Sequence, residues 1–136
     1  MPELTTSDRL AIGELLARYS HCIDRARWDD FKTLFTADCR LDLSQVMGLY
    51  EGAEGIARFC DTMRSLPIVM RHFLTNLVVV EGDGERARVE SYVLAITGPA
   101  GGPSTQMPGF YDDEVVKQGG RWLLRSRRLA LDVPAS

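Results

Sequence analysis

Apolar residues recur at helical spacing early in this chain and at alternate positions late in it. Ile12, Leu15, Leu16, Tyr19 and Ile23 fall on one stripe of a helix. Thr5 and Asp8 make a capping box ahead of that stripe, and the helix is expected to end near Arg25. Trp28, Phe31, Leu34 and Phe35 give a second, shorter helix one apolar face, with Asp29 and Asp30 at its positive N-terminal end. Cys39, Leu41 and Leu43 alternate with Arg40 and Asp42, which is the period of a strand. Gly48 and Gly52 are expected to bracket a loop. Ile56, Phe59, Cys60 and Met63 then define a third amphipathic helix, and Pro67 closes that region.

The pattern changes to β structure from residue 71. The run Arg71 to Val80 is rich in branched residues, and alternation is expected to place His72, Leu74, Asn76 and Val78 on one face. Glu81 to Glu85 reads as a hairpin turn, and 86–97 as the returning strand. Gly98 to Gln106 is a loop rich in Gly, Pro and Ser. Residues 109–117 form a further strand, Gln118-Gly119-Gly120 a tight turn, and 121–132 a last strand. Helices first and antiparallel hairpins later predict one α+β domain over residues 1–136. A curved mixed or antiparallel sheet wraps three N-terminal helices in a cone-like shape. Such a sheet leaves room for a pocket between its concave face and the helices.

Composition narrows the function. A net charge of −3 gives no electrostatic footprint for nucleic acid. The late basic residues Arg121, Arg125, Arg127 and Arg128 are balanced by acids elsewhere and read as a solvated strand face. The three cysteines, Cys22, Cys39 and Cys60, are odd in number and lack a C-x-x-C spacing, so they indicate neither a disulfide framework nor a zinc site. They are expected to pack as small core residues. No apolar stretch approaches a membrane span, and the first residues lack the basic and apolar runs of a signal peptide. A cytoplasmic protein is the expectation.

The candidate chemistry centres on Asp24, an acid just past Ile23 at the edge of the first helix's apolar stripe. An acid there is costly unless something pairs with it. His72 is the natural partner. A carboxylate on one ring nitrogen fixes the tautomer and leaves the other nitrogen as a base. Tyr19, on the stripe, is positioned to donate to a developing oxyanion, and Asn76 to orient a substrate. Trp28, Leu74 and Phe110 are further candidate substrate contacts. Each has a plainer reading. A strand histidine is often structural, an acid at a helix end pairs with a neighbour such as Arg25 or Arg27, and a stripe tyrosine is often core. His21, Asp24 and His72 lack the tight spacing of a metal site, so no metal is expected. Of Asp112 and Asp113, alternation turns one outward.

Several stretches together resemble a known family. They are Arg18-Tyr19-Ser20-His21-Cys22-Ile23-Asp24 followed by Trp28-Asp29-Asp30-Phe31, then Gly52 to Phe59, Arg71 to Asn76, and Tyr111-Asp112 through Gly120-Arg121-Trp122. This pattern resembles the SnoaL-like branch of the nuclear-transport-factor-2-like superfamily and covers almost the whole chain. The superfamily includes scytalone dehydratase, a bile-acid dehydratase, a hexachlorocyclohexane dehydrochlorinase, ketosteroid isomerase and polyketide cyclases. It also includes ring-hydroxylating dioxygenase small subunits, which carry no catalytic iron. The resemblance implies that Asp24 and His72 match an acid–histidine dyad, and that Tyr19 matches the helix tyrosine of the bile-acid enzyme. Two departures limit it. Leu94-Ala95-Ile96-Thr97 stands where scytalone dehydratase has a second histidine and the bile-acid enzyme an acid. The Asp-Arg-Asp set of the related epoxide hydrolases cannot be assembled around Asp112 and Asp113 from sequence.

The implied function is a cofactor-independent lyase of dehydratase type acting on a small hydrophobic cyclic substrate. Isomerase or cyclase chemistry is the near alternative. A non-catalytic binding module, or an assembly module like a dioxygenase small subunit, is the distant one. A homo-oligomer, dimer or trimer, is the implied assembly.

Overall fold

The computed structural model describes residues 2–132. The elements run α1 (Thr6–Asp24), α2 (Trp28–Lys32), β1 (Phe35–Leu43), β2 (Gly48–Glu51), α3 (Gly52–Ser65), β3 (Val69–Gly82), β4 (Arg86–Gly98), β5 (Thr105–Gln118) and β6 (Arg121–Leu131). One six-stranded sheet has the order β2-β1-β6-β5-β4-β3. β1 and β6 run parallel and the other neighbours antiparallel, so the sheet is mixed. The three helices cover one face. The architecture is therefore the expected α+β arrangement of helices against a curved sheet.

The start of α1 is fixed by its capping box. The Thr5 hydroxyl accepts from the Asp8 backbone N–H at 3.0 Å, and the Asp8 carboxylate accepts from the Thr5 backbone N–H at 3.0 Å. Asp8 also accepts from Trp122 Nε1 at 3.0 Å and Lys117 Nζ at 3.2 Å, which ties the helix to β5 and β6. Hydrogen bonds from the Thr5 backbone, Trp122, the Thr5 hydroxyl and Lys117 outweigh burial and hold this carboxyl well below the usual range.

The end of α1 is a Schellman turn. Arg27 N–H donates to the Cys22 carbonyl at 2.8 Å and Ala26 N–H to the Ile23 carbonyl at 3.2 Å. Ala26 takes the left-handed conformation, φ 55°, that glycine usually supplies there. The turn stops the helix at Asp24, with Arg25 as its C-cap, and leaves that carboxylate at the helix end.

Three expectations are corrected. Residues 48–51 are strand β2 and not a loop, because Tyr50 is buried and the segment pairs with β1 from Arg40↔Glu51 to Leu43↔Gly48. Phe35 belongs to β1 and not to the second helix, since it pairs with Leu124 of β6, although its ring still packs on Phe31 at 5.0 Å. β3 does not keep one face from His72 to Val78. Its register shifts between Thr75 and Val78, where Asn76 adopts φ 54°. This bulge turns Val78 outward and Val79 toward the core.

The core is a single cluster from α1, α2, α3 and the concave sheet face, and Cys22, Cys39 and Cys60 are buried in it as free thiols. Burial pushes all three thiols up, which suits a packing role. No helix among the described residues is long and apolar enough to cross a membrane.

Candidate active site

The structure brings Asp24 and His72 together across 48 residues of sequence. Asp24 Oδ1 lies 2.6 Å from His72 Nδ1, and Asp24 Oδ2 accepts the His72 backbone N–H at 2.8 Å. His72 sits on the edge strand β3, so its backbone N–H goes to the carboxylate instead of to a further strand. Both side chains are buried, at 7% and 5% exposure. An ionised carboxylate only accepts, so the Nδ1 edge of the neutral ring must carry the proton. The remaining edge, Nε2, is left as the basic nitrogen.

That ring lines a cavity of about 50 Å³ between the helices and the concave sheet. Tyr19 and Ile23 of α1, Phe59 and Met63 of α3, and Val93 and Ala95 of β4 form part of its wall. The turn after β1 contributes Val46 and Met47, and Leu129 and Leu131 of β6 close one side. Tyr111 of β5 also faces it, with its ring 6.0 Å from that of Tyr19. Burial raises both phenols above the usual tyrosine range, Tyr19 strongly, so both remain O–H donors at neutral pH.

Behind the two phenols lies a group that the sequence reading assigned to solvent. Arg127 is completely buried, and so is its partner Asp113. Its Nε and Nη2 donate to the two Asp113 oxygens, each at 2.8 Å. The guanidinium carbon stands 3.6 Å from the centre of the Tyr111 ring and 4.3 Å from that of Tyr19. Arg127 Nη1 has no hydrogen-bond partner among the described residues. Burial disfavours the Arg127 charge, but Asp113 outweighs it and holds the guanidinium protonated. Burial pushes the Asp113 carboxyl up while Arg127 opposes the rise. With two charge-assisted bonds in place, the ion pair is the stable form, because neutralising either member strands the other charge.

The remaining sequence-predicted contacts fall elsewhere. Asn76 is exposed, because the bulge removes it from the face of His72. Trp28 is buried against Phe31 and Phe59, at ring distances of 6.2 and 6.5 Å, and does not reach the cavity wall. Leu74 shares the inward face of His72 but packs into the core beyond the cavity. Phe110 points to the opposite sheet face, since Tyr111 and Asp113 take the inward positions of β5; there it pairs with Tyr92 and lies under Arg128. His21 is exposed, and no three His, Cys, Asp or Glu side chains among the described residues are grouped so as to hold a metal ion. Tyr111 and Arg127 are the residues at this site that the sequence does not single out as functional. Alternation carries a signal for Tyr111, which shares a face with Asp113; for Arg127 the count is inward from Leu131 and Leu129 but outward from Trp122 and Leu124.

Comparison with known proteins agrees with this architecture. The SnoaL-like domain is matched over residues 4–128. An uncharacterised protein of Mycobacterium tuberculosis is 30% identical over 122 residues, covering 89% of this chain and 83% of its own. A protein of Novosphingobium aromaticivorans, provisionally assigned as an aromatic ring hydroxylase, superposes with a TM-score of 0.86 at 27% identity, over 97% of this chain and 94% of its own. A second protein of that organism, provisionally assigned as a scytalone dehydratase, gives 0.84 at 24% identity, over 93% and 85%, a likeness of fold. This chain belongs to the SnoaL-like domain family, within the nuclear-transport-factor-2-like superfamily.

Proposed function

We propose that this protein is a lyase of dehydratase type that removes a carbon-bound proton from a small, apolar, cyclic substrate. The observation that carries the reading is the buried Asp24–His72 pair, held through Nδ1, whose ring lines a cavity. His72 Nε2 takes the proton, and Asp24 holds the tautomer and stabilises the imidazolium that forms. The electron pair left on carbon moves toward an adjacent carbonyl, and its oxygen takes up the developing charge. Tyr19 and Tyr111 supply neutral O–H donors on that wall, and the fixed Arg127 charge behind both rings makes them stronger donors. The enolate pair then re-forms the carbonyl and a new C=C bond as the neighbouring C–O bond breaks, and the His72 imidazolium returns its proton to the departing oxygen, so that water leaves and the elimination is complete. Return of the proton to a different carbon gives an isomerisation instead, so both outcomes share one first step.

The test is exchange of ring protons next to the carbonyl in a panel of cyclic hydroxy-ketones in heavy water, followed by NMR. His72→Ala and Asp24→Asn are expected to slow exchange by about 10²- to 10⁴-fold while the circular dichroism spectrum is unchanged. Exchange that persists at the wild-type rate in both variants would falsify the base assignment. The fold is shared with the beta subunit of a provisionally assigned aromatic-ring-hydroxylating dioxygenase, and the competing reading is an assembly role, for which the dyad is dispensable and a larger iron-containing chain co-purifies.

The assembly proposed is a homo-oligomer through the convex sheet face. Tyr92 is 60% exposed, Phe73 49% and Val78 57%, an apolar patch that water does not favour. Sedimentation is expected to show a dimer or trimer that Tyr92→Glu dissociates; a wild-type monomer at micromolar concentration contradicts it.

A further inference from the structure

The chain has five methionines, and the four beyond Met1 all line the cavity described above. They come from four different places in the fold. Met47 is in the turn after β1, Met63 on α3, Met70 on β3 and Met107 on β5. A core filled without regard to ligand has no reason to gather its only unbranched thioethers around one void. The void itself is small. At about 50 Å³ it is well below the ~300 Å³ at which ligand pockets begin, and it does not hold a six-membered ring.

We propose that this cavity is a deformable site. The four methionine side chains swing aside to admit an uncharged one- or two-ring molecule carrying a single carbonyl or hydroxyl oxygen. The inference rests on the cavity being the substrate site, as read above, and adds the means of entry and the class of ligand. Methionine suits the first role because its three side-chain torsions are soft and its sulfur is polarisable, so it repacks at low cost against many shapes. Four of them on separate elements open the space without moving strands. Val46 and Met47 place the opening beside the turn after β1, where Val46 is 37% exposed.

The class of ligand follows from the wall. No Lys, Arg, Asp or Glu lines the cavity. The only polar side chains that line it are those of His72, Tyr19 and Tyr111. A ligand carboxylate or phosphate would lose its water there without gaining a paired cation, and is excluded. One oxygen satisfies the phenols, and the rest of the ligand meets methionine, leucine, isoleucine and valine.

The experiment uses the whole chain with 2-naphthol, and with 2-naphthoate as the charged probe of nearly the same shape. Calorimetry is expected to give saturable 2-naphthol binding, at least about tenfold tighter than 2-naphthoate. Carbon-13 methyl NMR of the methionines reads the motion directly. Met47, Met63, Met70 and Met107 are expected to shift on adding 2-naphthol. A triple change Met63→Ile, Met70→Ile and Met107→Ile keeps apolar volume but stiffens the wall, and is expected to weaken 2-naphthol binding about tenfold. Three results overturn the proposal: no saturable 2-naphthol binding, equal binding of 2-naphthoate, or methionine signals that do not move. The NMR result stands even if the triple variant does not fold. His72→Ala separates this proposal from the catalytic one. If that variant binds 2-naphthol but no substrate shows exchange even with wild type, the deformable site survives and the enzyme reading fails. If wild type shows exchange that depends on His72 but the methionines stay still, the reverse holds.

Discussion

Two buried carboxylates in this molecule each grip a nitrogen base with both oxygens, and they are suited to different work. Asp24 holds the ring and the backbone N–H of His72 at 2.6 and 2.8 Å. Asp113 holds two guanidinium nitrogens of Arg127, both at 2.8 Å. The guanidinium does not deprotonate in a protein, so the second pair is a fixed dipole locked behind two aromatic rings. The imidazole keeps a second ring nitrogen that can take up and give back a proton. The carboxylate geometry is nearly the same in both. The partner, and what its unused edge faces, separates an electrostatic support from a proton acceptor.

The comparison can be broken most strongly at Arg127. Arg127→Met leaves the Asp113 charge buried without a partner, and urea unfolding is expected to show a loss of about 3–5 kcal/mol. The double change Asp113→Leu with Arg127→Met removes both charges and is expected to recover most of that loss. Recovery would show that the pair is retained for its field on the phenols and not for stability. A neutral single substitution would contradict the buried pair.

Asp24→Asn is the matching cut on the other side, with a smaller effect on stability, about 1–3 kcal/mol. An asparagine has one acceptor where Asp24 uses two. It can satisfy the His72 backbone N–H only by turning its amide toward Nδ1, which then accepts. The proton moves to Nε2 and the base facing the cavity is lost. The substitution therefore acts mainly on turnover, while Arg127→Met acts first on folding. Equal losses of fold in the two variants would erase the distinction.

Ala26→Gly sharpens the account with the least disturbance. It relieves a left-handed alanine in the turn that ends α1 at Asp24, and is expected to raise stability by about 0.5–1 kcal/mol in thermal unfolding. The dyad geometry should be unchanged. A destabilised protein would mean that the Ala26 methyl contributes packing that outweighs the strain.

Much of the fold was legible because local and global signals agree. The stripe from Ile12 to Ile23 and the capping box at Thr5 and Asp8 specify α1 to within a residue at each end. The sequence also pointed to Asp24 and His72, since an acid on the edge of an apolar stripe implies a buried partner. The failures at Asn76 and Arg127 share one cause, breaks in strand register. The bulge at Asn76 turned a substrate-facing candidate outward. A second irregularity falls where Asp113 pairs with Arg127 and Glu114 with Ser126, but Val115 pairs with Leu124. Arg125 is the extra residue, so inward positions before it run Trp122 and Leu124, and after it Arg127 and Leu129. Counted from the start of β6, Arg127 falls on the solvent side. Only pairing with Asp113 across the sheet, which sequence alone does not display, puts it inside.

The most direct test of the central claim is nitrogen-15 NMR of the His72 ring in its neutral form. The account predicts a proton on Nδ1, an unprotonated Nε2, and reversal of the two in Asp24→Asn. A neutral ring protonated on Nε2 in the wild-type protein, or a tautomer indifferent to the Asp24 substitution, would contradict it and leave His72 a structural residue.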